Sequence, residues 1–305
     1  MLKHEFRVLP VPASQLGEAP VWWPERETLS WVDIWGRRLY TWHERDGLVG
    51  AACLPELPGG LALTDAGLLV AHAGGIQIKD DEGGWWLLAH PGEHGPGGRY
   101  NDVALDPRGR IWVGSIESAA GAADGSIYGI DTDGRCSVLL TGLAVPNGID
   151  FSPDGTSMYV TITERGEILR FDYDVETGTA SAPEVFATDV DCAPDGLVVD
   201  ADGTVWSAKW DGAAVVAYEP TGAVAARIEL PVRNITSLTF GGAGLSTLYV
   251  TTAADEPGAL PSAEAALAGR VLALPGLGVT GQPTRPVPVA PRRAPRLPAP
   301  AQQHP

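Results

Sequence analysis

Six segments of this 305-residue chain repeat one pattern, and that repetition restricts the fold more than any other feature. They are EAPVWWPERETLSWV from Glu18, GGLALTDAGLLVA from Gly59, NDVALDPRGRIWVG from Asn101, NGIDFSPDGTSMYV from Asn147, DGLVVDADGTVWSA from Asp195 and TSLTFGGAGLSTLYV from Thr236. Each reads as a strand, a tight turn and a second strand, followed by a more variable hairpin. Successive starts lie 41, 42, 46, 48 and 41 residues apart, the span of a four-stranded propeller blade. A parallel sheet would need crossover helices, and no long apolar stripe of helical period occurs. SAEAALAG (262–269) is at most a short helix. The expected fold is all-β: a six-bladed β-propeller of four-stranded antiparallel blades over residues 1–282. The sixth repeat ends near GRVLALP (269–275), so EFRVLPV (5–11) is expected to pair into the last blade and close the ring. Residues 283–305 hold eight prolines and cannot form ladder strands; they are expected to be a disordered Pro/Arg-rich tail.

Charge and cysteine usage narrow the partners. The net charge is −17, and the tail contributes four arginines and no acids. Residues 1–282 therefore carry 17 basic against 38 acidic side chains, a formal −21. Such a surface repels nucleic acid. No run approaches the roughly 18 apolar residues of a membrane helix, and MLKHEFRVLPVP lacks the apolar stretch of a secretory signal. Cys53, Cys136 and Cys192 are widely separated and odd in number, which suggests reduced thiols in a cytoplasmic protein. The Asn234-Ile235-Thr236 sequon then carries no weight. Neither nucleic acid nor membrane is an expected partner, and the chain is expected to be a monomer or weak homo-oligomer.

Aligned repeats allow one position to be compared in every blade. The first residue of each segment is Glu18, Gly59, Asn101, Asn147, Asp195 or Thr236. If this column sits at the axial end of the inner strand, its side chains converge on one point. Two carboxylates and two amides there require a cation or dense hydrogen bonding to compensate them. Oxygen-only ligands favour a hard or borderline divalent ion: Ca²⁺, Mg²⁺, Mn²⁺, Zn²⁺ or Fe²⁺. The alternative is that Asn147-Gly148 and Asp195-Gly196 are ordinary turns, as Asp133-Gly134, Asp154-Gly155 and Asp202-Gly203 are read to be. Glu18 is no turn former, and the shared column favours convergence.

LGEAPVW (16–22), RYNDVALDPRGRIWVGS (99–115), VPNGIDFSPDG (145–155), PDGLVVDADGTVW (194–206) and TSLTFGGAGLSTLYVT (236–251) together resemble the regucalcin/gluconolactonase family, also called the senescence marker protein family. The resemblance covers nearly all of the propeller. It implies six blades, one divalent metal in the central cavity and hydrolysis of a sugar lactone such as a gluconolactone or pentonolactone. By resemblance the metal ligands fall on Glu18, Asn147 and Asp195, and the substrate contacts on Arg99 and Asn101. The family's further acidic substrate contact matches Ala119 here; Glu117, two residues earlier, either reaches the same pocket, since alternate strand residues share a face, or is a solvated loop acid, which is the preferred reading. Lys209 aligns with Ser115, where a lysine either snorkels to solvent or lines the mouth.

Lactone hydrolysis needs a polarised carbonyl, an attacking water and stabilisation of an oxyanion. The metal is expected to act as Lewis acid. Asp195 is the candidate general base, one oxygen on the metal and the other on water, since metal binding lowers its pKa. Arg99's fixed fork suits sugar hydroxyls. No Gly-x-Ser-x-Gly elbow, zinc helix or nucleotide loop is present, and the six scattered histidines are read as surface or packing residues. A calcium-binding regulatory propeller without enzyme activity, and an aryl-ester or phosphotriester hydrolase on the same scaffold, remain the alternatives.

Overall fold

The computed structural model describes residues 4–92, 94–118, 122–254 and 266–283. These form six antiparallel blades around one axis, each built on four strands that run in sequence order from the centre outward in the first five blades. The innermost strands are Gly17–Trp23, Pro58–Thr64, Arg99–Leu105, Pro146–Phe151, Ala193–Val199 and Ile235–Gly241. Each packs against the next, and the sixth against the first, so the ring closes. The short strand Arg7–Val8 pairs with Leu272 and Ala273 as the outermost strand of the sixth blade, and the Leu9 N–H adds a bond to Val271 O at 2.9 Å. The N-terminus thus closes the ring as its sequence implied. In the fourth blade the third strand, Glu167–Asp174, also pairs with a two-residue strand, Thr179–Ala180.

The core is divided among the seams between blades, because each twisted blade buries both faces against its neighbours. Trp22, Trp31 and Trp42 of blade 1 meet Tyr249 and Ala273 of blade 6. Trp206 and Val215 of blade 5 meet Phe240 and Leu248 of the same sixth blade. Four further clusters join blades 1 and 2, 2 and 3, 3 and 4, and 4 and 5. Among the described residues there is no α-helix, only three-residue 3₁₀ turns at Pro24–Arg26, Thr163–Arg165 and Ala243–Leu245. No described helix is long and apolar enough to cross a membrane. Of the short helix expected over 262–269, residues 266–269 form a turn and the remainder lie outside the described residues. All of the expected tail beyond Pro283 also lies outside them. Gly134, Gly155 and Gly203 adopt φ of 78°, 69° and 87°, the left-handed geometry of the hairpin turns read at those Asp-Gly pairs. The three cysteines are free thiols.

Candidate active site

The column read from the repeats sits in or immediately beside a β-bulge in every blade. The register between inner and second strands slips between Glu18 and Val21, Pro58 and Gly60, Tyr100 and Val103, Pro146 and Ile149, Pro194 and Leu197, and Ile235 and Ser237. A bulge adds one residue and re-aims the side chain next to it. Here it turns the column toward the axis at the end where each inner strand begins. Asn147-Gly148 and Asp195-Gly196 are therefore strand positions, and the turn reading of them is overturned. Their glycines serve close approach: a Cβ on Gly148 would stand 2.4 Å from Leu197 N, and one on Gly196 2.2 Å from Ser237 Oγ.

The polar side chains at this end are connected. Asn147 Nδ2 donates to Asp195 Oδ1 and lies 3.4 Å from Thr163 Oγ1. Thr163 Oγ1 donates in turn to Pro194 O at 2.9 Å. Arg99 Nη2 donates to Asn101 Oδ1 at 3.0 Å, and Asn101 Nδ2 to Pro146 O at 2.9 Å. The Ala19 N–H, held at φ 48°, donates to Glu18 Oε2 at 2.9 Å. Glu18, Arg99, Asn101, Asn147 and Asp195 are all buried. Arg99 Nε has no hydrogen-bond partner among the described residues.

Electrostatics show what the cluster lacks. Burial raises Glu18 from 4.5 to about 8, and Asp102 adds repulsion; the Ala19 N–H and Arg99 act in the opposite direction. Burial likewise lifts Asp195 well above the carboxylate range, reinforced by Glu18 and Asp102 and opposed by Arg99 and Asn147. Desolvation also disfavours the Arg99 cation, which Glu18 and Asp195 partly restore. Glu18 and Asp195 share the one Arg99 guanidinium, and Asp102 repels both, so full ionisation leaves negative charge uncompensated at a buried point. A divalent cation would offset that charge, and the side-chain oxygens of Glu18, Asn147 and Asp195 are of the hard kind such an ion takes, although no group of three or more His, Cys, Asp or Glu side chains is gathered for a metal among the described residues.

Asp102 was not singled out in the sequence, although the signal was there. It occupies the position after the column, where the other repeats carry Ala19, Gly60, Gly148, Gly196 and Ser237. It stands where the polar cluster meets an axial channel of about 530 Å³ lined by the continuing inner strands. Asp150 faces the same channel, and Gln282 crosses near its far end, donating to Phe151 O at 2.7 Å and Val199 O at 3.1 Å.

Glu117 and Lys209 are each held by local partners. Glu117 receives Ser115 Oγ at 2.5 Å and Tyr128 OH at 3.5 Å, and its other oxygen lies 3.1 Å from His94 Nδ1. Its described partners are these groups, not Arg99 or Asn101; Ala119 lies outside the described residues. Lys209 neither snorkels nor lines the mouth. Its side chain is 0% exposed, and its Nζ donates to Asp189 Oδ2 at 2.6 Å and Ser207 Oγ at 3.0 Å. Tyr218 OH donates to the other Asp189 oxygen at 3.1 Å. The apolar stem is buried in a seam too deep for the ammonium to reach water, so an internal carboxylate neutralises it.

Comparison with known proteins gives a concordant result. Residues 16–254 match the profile of the SMP-30/Gluconolactonase/LRE-like region. The pentonolactonase XacC of Haloferax volcanii is 35% identical over 249 residues, covering 79% of this chain and 83% of the relative. The 6-deoxy-6-sulfogluconolactonase of Pseudomonas putida is 36% identical over 267 residues, covering 85% and 91%. Among solved structures, a calcium-binding protein, regucalcin, from Agrobacterium tumefaciens superposes with a TM-score of 0.87 at 32% identity, covering 93% of this chain and 97% of that one.

Proposed function

This chain belongs to the SMP-30/gluconolactonase/LRE-like family, and from that membership we propose that it opens a sugar lactone with a divalent ion held by Glu18, Asn147 and Asp195. The observation that carries the metal assignment is the pair of desolvated carboxylates beside a single buried guanidinium, with Asn147 bonded to one of them. The sugar-lactone assignment rests on relatives named for pentonolactone and sulfogluconolactone hydrolysis.

A bound divalent ion supplies Lewis-acid polarisation of the lactone carbonyl. The protein's own groups do the rest. Arg99 and Asn101, already bonded to each other, present a fixed set of donors to the sugar hydroxyls and ring oxygen. Asp195 accepts the proton of the attacking water as its oxygen adds to the carbonyl carbon. The acyl–oxygen bond of the ring then breaks, the ring oxygen leaves as a hydroxyl by taking the proton that Asp195 accepted, and an open-chain sugar acid results. Asp195 is placed for this by its hydrogen bond from Asn147, which fixes one of its oxygens and leaves the carboxylate beside the Arg99–Asn101 pair.

A panel of pentono- and hexonolactones assayed beside paraoxon-like aryl esters and phosphotriesters tests the reaction class. Aldonolactone turnover that falls at least about a hundredfold in Asp195→Asn, the scale of a general-base loss, and that also drops in Asn147→Ala is the expected result. Activity on esters alone, or undiminished lactone turnover in both variants, contradicts the proposal.

A further inference from the structure

The column residues lie at one face of the ring, and so do the turns that follow each second strand. Strand pairing fixes this: Gly17 faces Asp33, Arg99 faces Ile116 and Pro146 faces Ile162. The turn after Asp33 in blade 1 carries Trp35, which leaves 53% of its surface exposed. Arg99 Cζ lies 5.7 Å from the centroid of the Trp35 ring, so the indole stands beside the guanidinium at the rim of the polar cluster.

The turn does not need that side chain. Its backbone is anchored through Ile34 N to Leu16 O at 2.9 Å, Arg37 N to Ile34 O at 3.2 Å and Leu54 N to Arg37 O at 2.8 Å. Asp33 Oδ1 receives the Gly36 N–H at 3.0 Å and the Leu16 N–H at 3.1 Å, and Oδ2 receives the Gln15 N–H at 3.0 Å. A Cβ on Gly36 would stand 2.3 Å from Asp33 Oδ2, so the turn is tight and its direction is set. A rigid mount therefore holds a large, half-exposed apolar face beside a buried guanidinium at the edge of the polar cluster. Exposing an indole forfeits burial free energy, and no contact within the protein uses most of its surface. Ligand sites combine this kind of apolar wall with a few convergent polar groups.

We propose that Trp35 is a substrate-binding residue, the platform on which the C–H face of the sugar lactone ring stacks while Arg99 and Asn101 take its hydroxyls. An aldonolactone has this two-sided character: hydroxyls at its edges and a patch of C–H bonds polarised by the attached oxygens. The partly positive hydrogens face the negative face of the indole. Stacking on a rigid ring orders little and excludes water from one side of the carbonyl. The inference rests on the sugar-lactone reading and adds to it the residue that selects for a ring with an unobstructed C–H face.

The test uses an aldonolactam, the amide isostere that fills the lactone's place without being opened, with binding measured by calorimetry. Turnover of the matching aldonolactone is followed in parallel in wild type, Trp35→Ala, Trp35→Phe, Arg99→Met and the Trp35→Ala/Arg99→Met double variant. Trp35→Ala is expected to weaken lactam binding and raise KM by about three- to tenfold, the range of one aromatic contact, with Trp35→Phe between it and wild type. Because Trp35 touches the sugar directly, its substitution weakens binding in the Arg99→Met background as well. Unchanged lactam affinity in Trp35→Ala overturns the proposal. So does an effect that vanishes once Arg99 is gone, since Trp35 would then act only by orienting the guanidinium. A wild-type protein that neither opens an aldonolactone nor binds its lactam overturns the lactonase reading, and this inference with it.

Discussion

Lys209 and Glu18 are both ionisable side chains buried on blade strands, yet burial gives them opposite fates. Lys209 has its counter-ion in Asp189 and needs nothing from outside. Glu18 has acidic neighbours and one shared guanidinium, so it does. Removing one member of a buried pair leaves the other unpaired, at a cost of about 3–5 kcal/mol. Lys209→Met is therefore expected to lower stability by about that amount in urea titrations, and Lys209→Met/Asp189→Asn to recover part of it. Equal losses in the single and double variants would show that the pair is not what the substitution breaks. The two residues also mark how far single residues were legible. Glu18 stood out because five other blades display what its position ordinarily holds. Lys209 stood out equally, but its partner lies 20 positions away on the loop entering the fifth blade, and no repeat comparison connects them. The Glu117 network with His94 and Tyr128 was hidden for the same reason, since the loop bearing His94 is not part of the repeat.

At the scale of the strand, the decisive element is the bulge shared by all six inner strands. The strands themselves were legible from alternating apolar residues and Asp-Gly turns. The bulge was not, because Asn147-Gly148 and Asp195-Gly196 have the same composition as a hairpin turn. Only the approach of neighbouring inner strands across the axis separates the two cases, and that is a tertiary fact. It yields a direct prediction. A methyl group on Gly196 would meet Ser237 at Oγ, Cβ and Cα within 2.8 Å, so Gly196→Ala must push two inner strands apart beside Asp195. Overpacking of this kind costs about 1–3 kcal/mol. The variant is expected to melt earlier and to lose lactone turnover out of proportion to the folded fraction. Wild-type melting with wild-type turnover would mean that the strands do not approach as described.

Across the whole molecule, six apolar seams hold a ring whose axis is acidic. The six-blade architecture and its closure by the N-terminal strand were legible because a repeat cannot bury its faces alone and an unpaired edge must be covered. The channel was not legible, since which residues share it depends on how far each strand runs past its bulge. Burial raises Asp102 from 3.8 to about 7 and Asp150 from 3.8 to about 6. Asp150 also repels Asp102, while backbone N–H groups oppose both shifts. The folded chain thus retains protons that the unfolded chain has released, so these groups favour folding at low pH. Their contribution is lost as pH rises from about 4 through the folded values. Asp150→Asn removes one such group, so its stability relative to wild type is expected to rise with pH between about 4 and 6 in metal-free denaturant titrations. A pH-independent difference would contradict the assignment.

The most direct test of the central claim is calorimetric titration of metal-stripped protein with Ca²⁺, Zn²⁺, Mn²⁺, Mg²⁺ and Fe²⁺, each addition paired with pH-stat turnover of an aldonolactone. The account predicts that one ion per chain binds, that turnover rises in step with occupancy, and that Glu18→Gln and Asp195→Asn lose both together. Full turnover in the stripped protein, or undiminished ion binding in both variants, would contradict it.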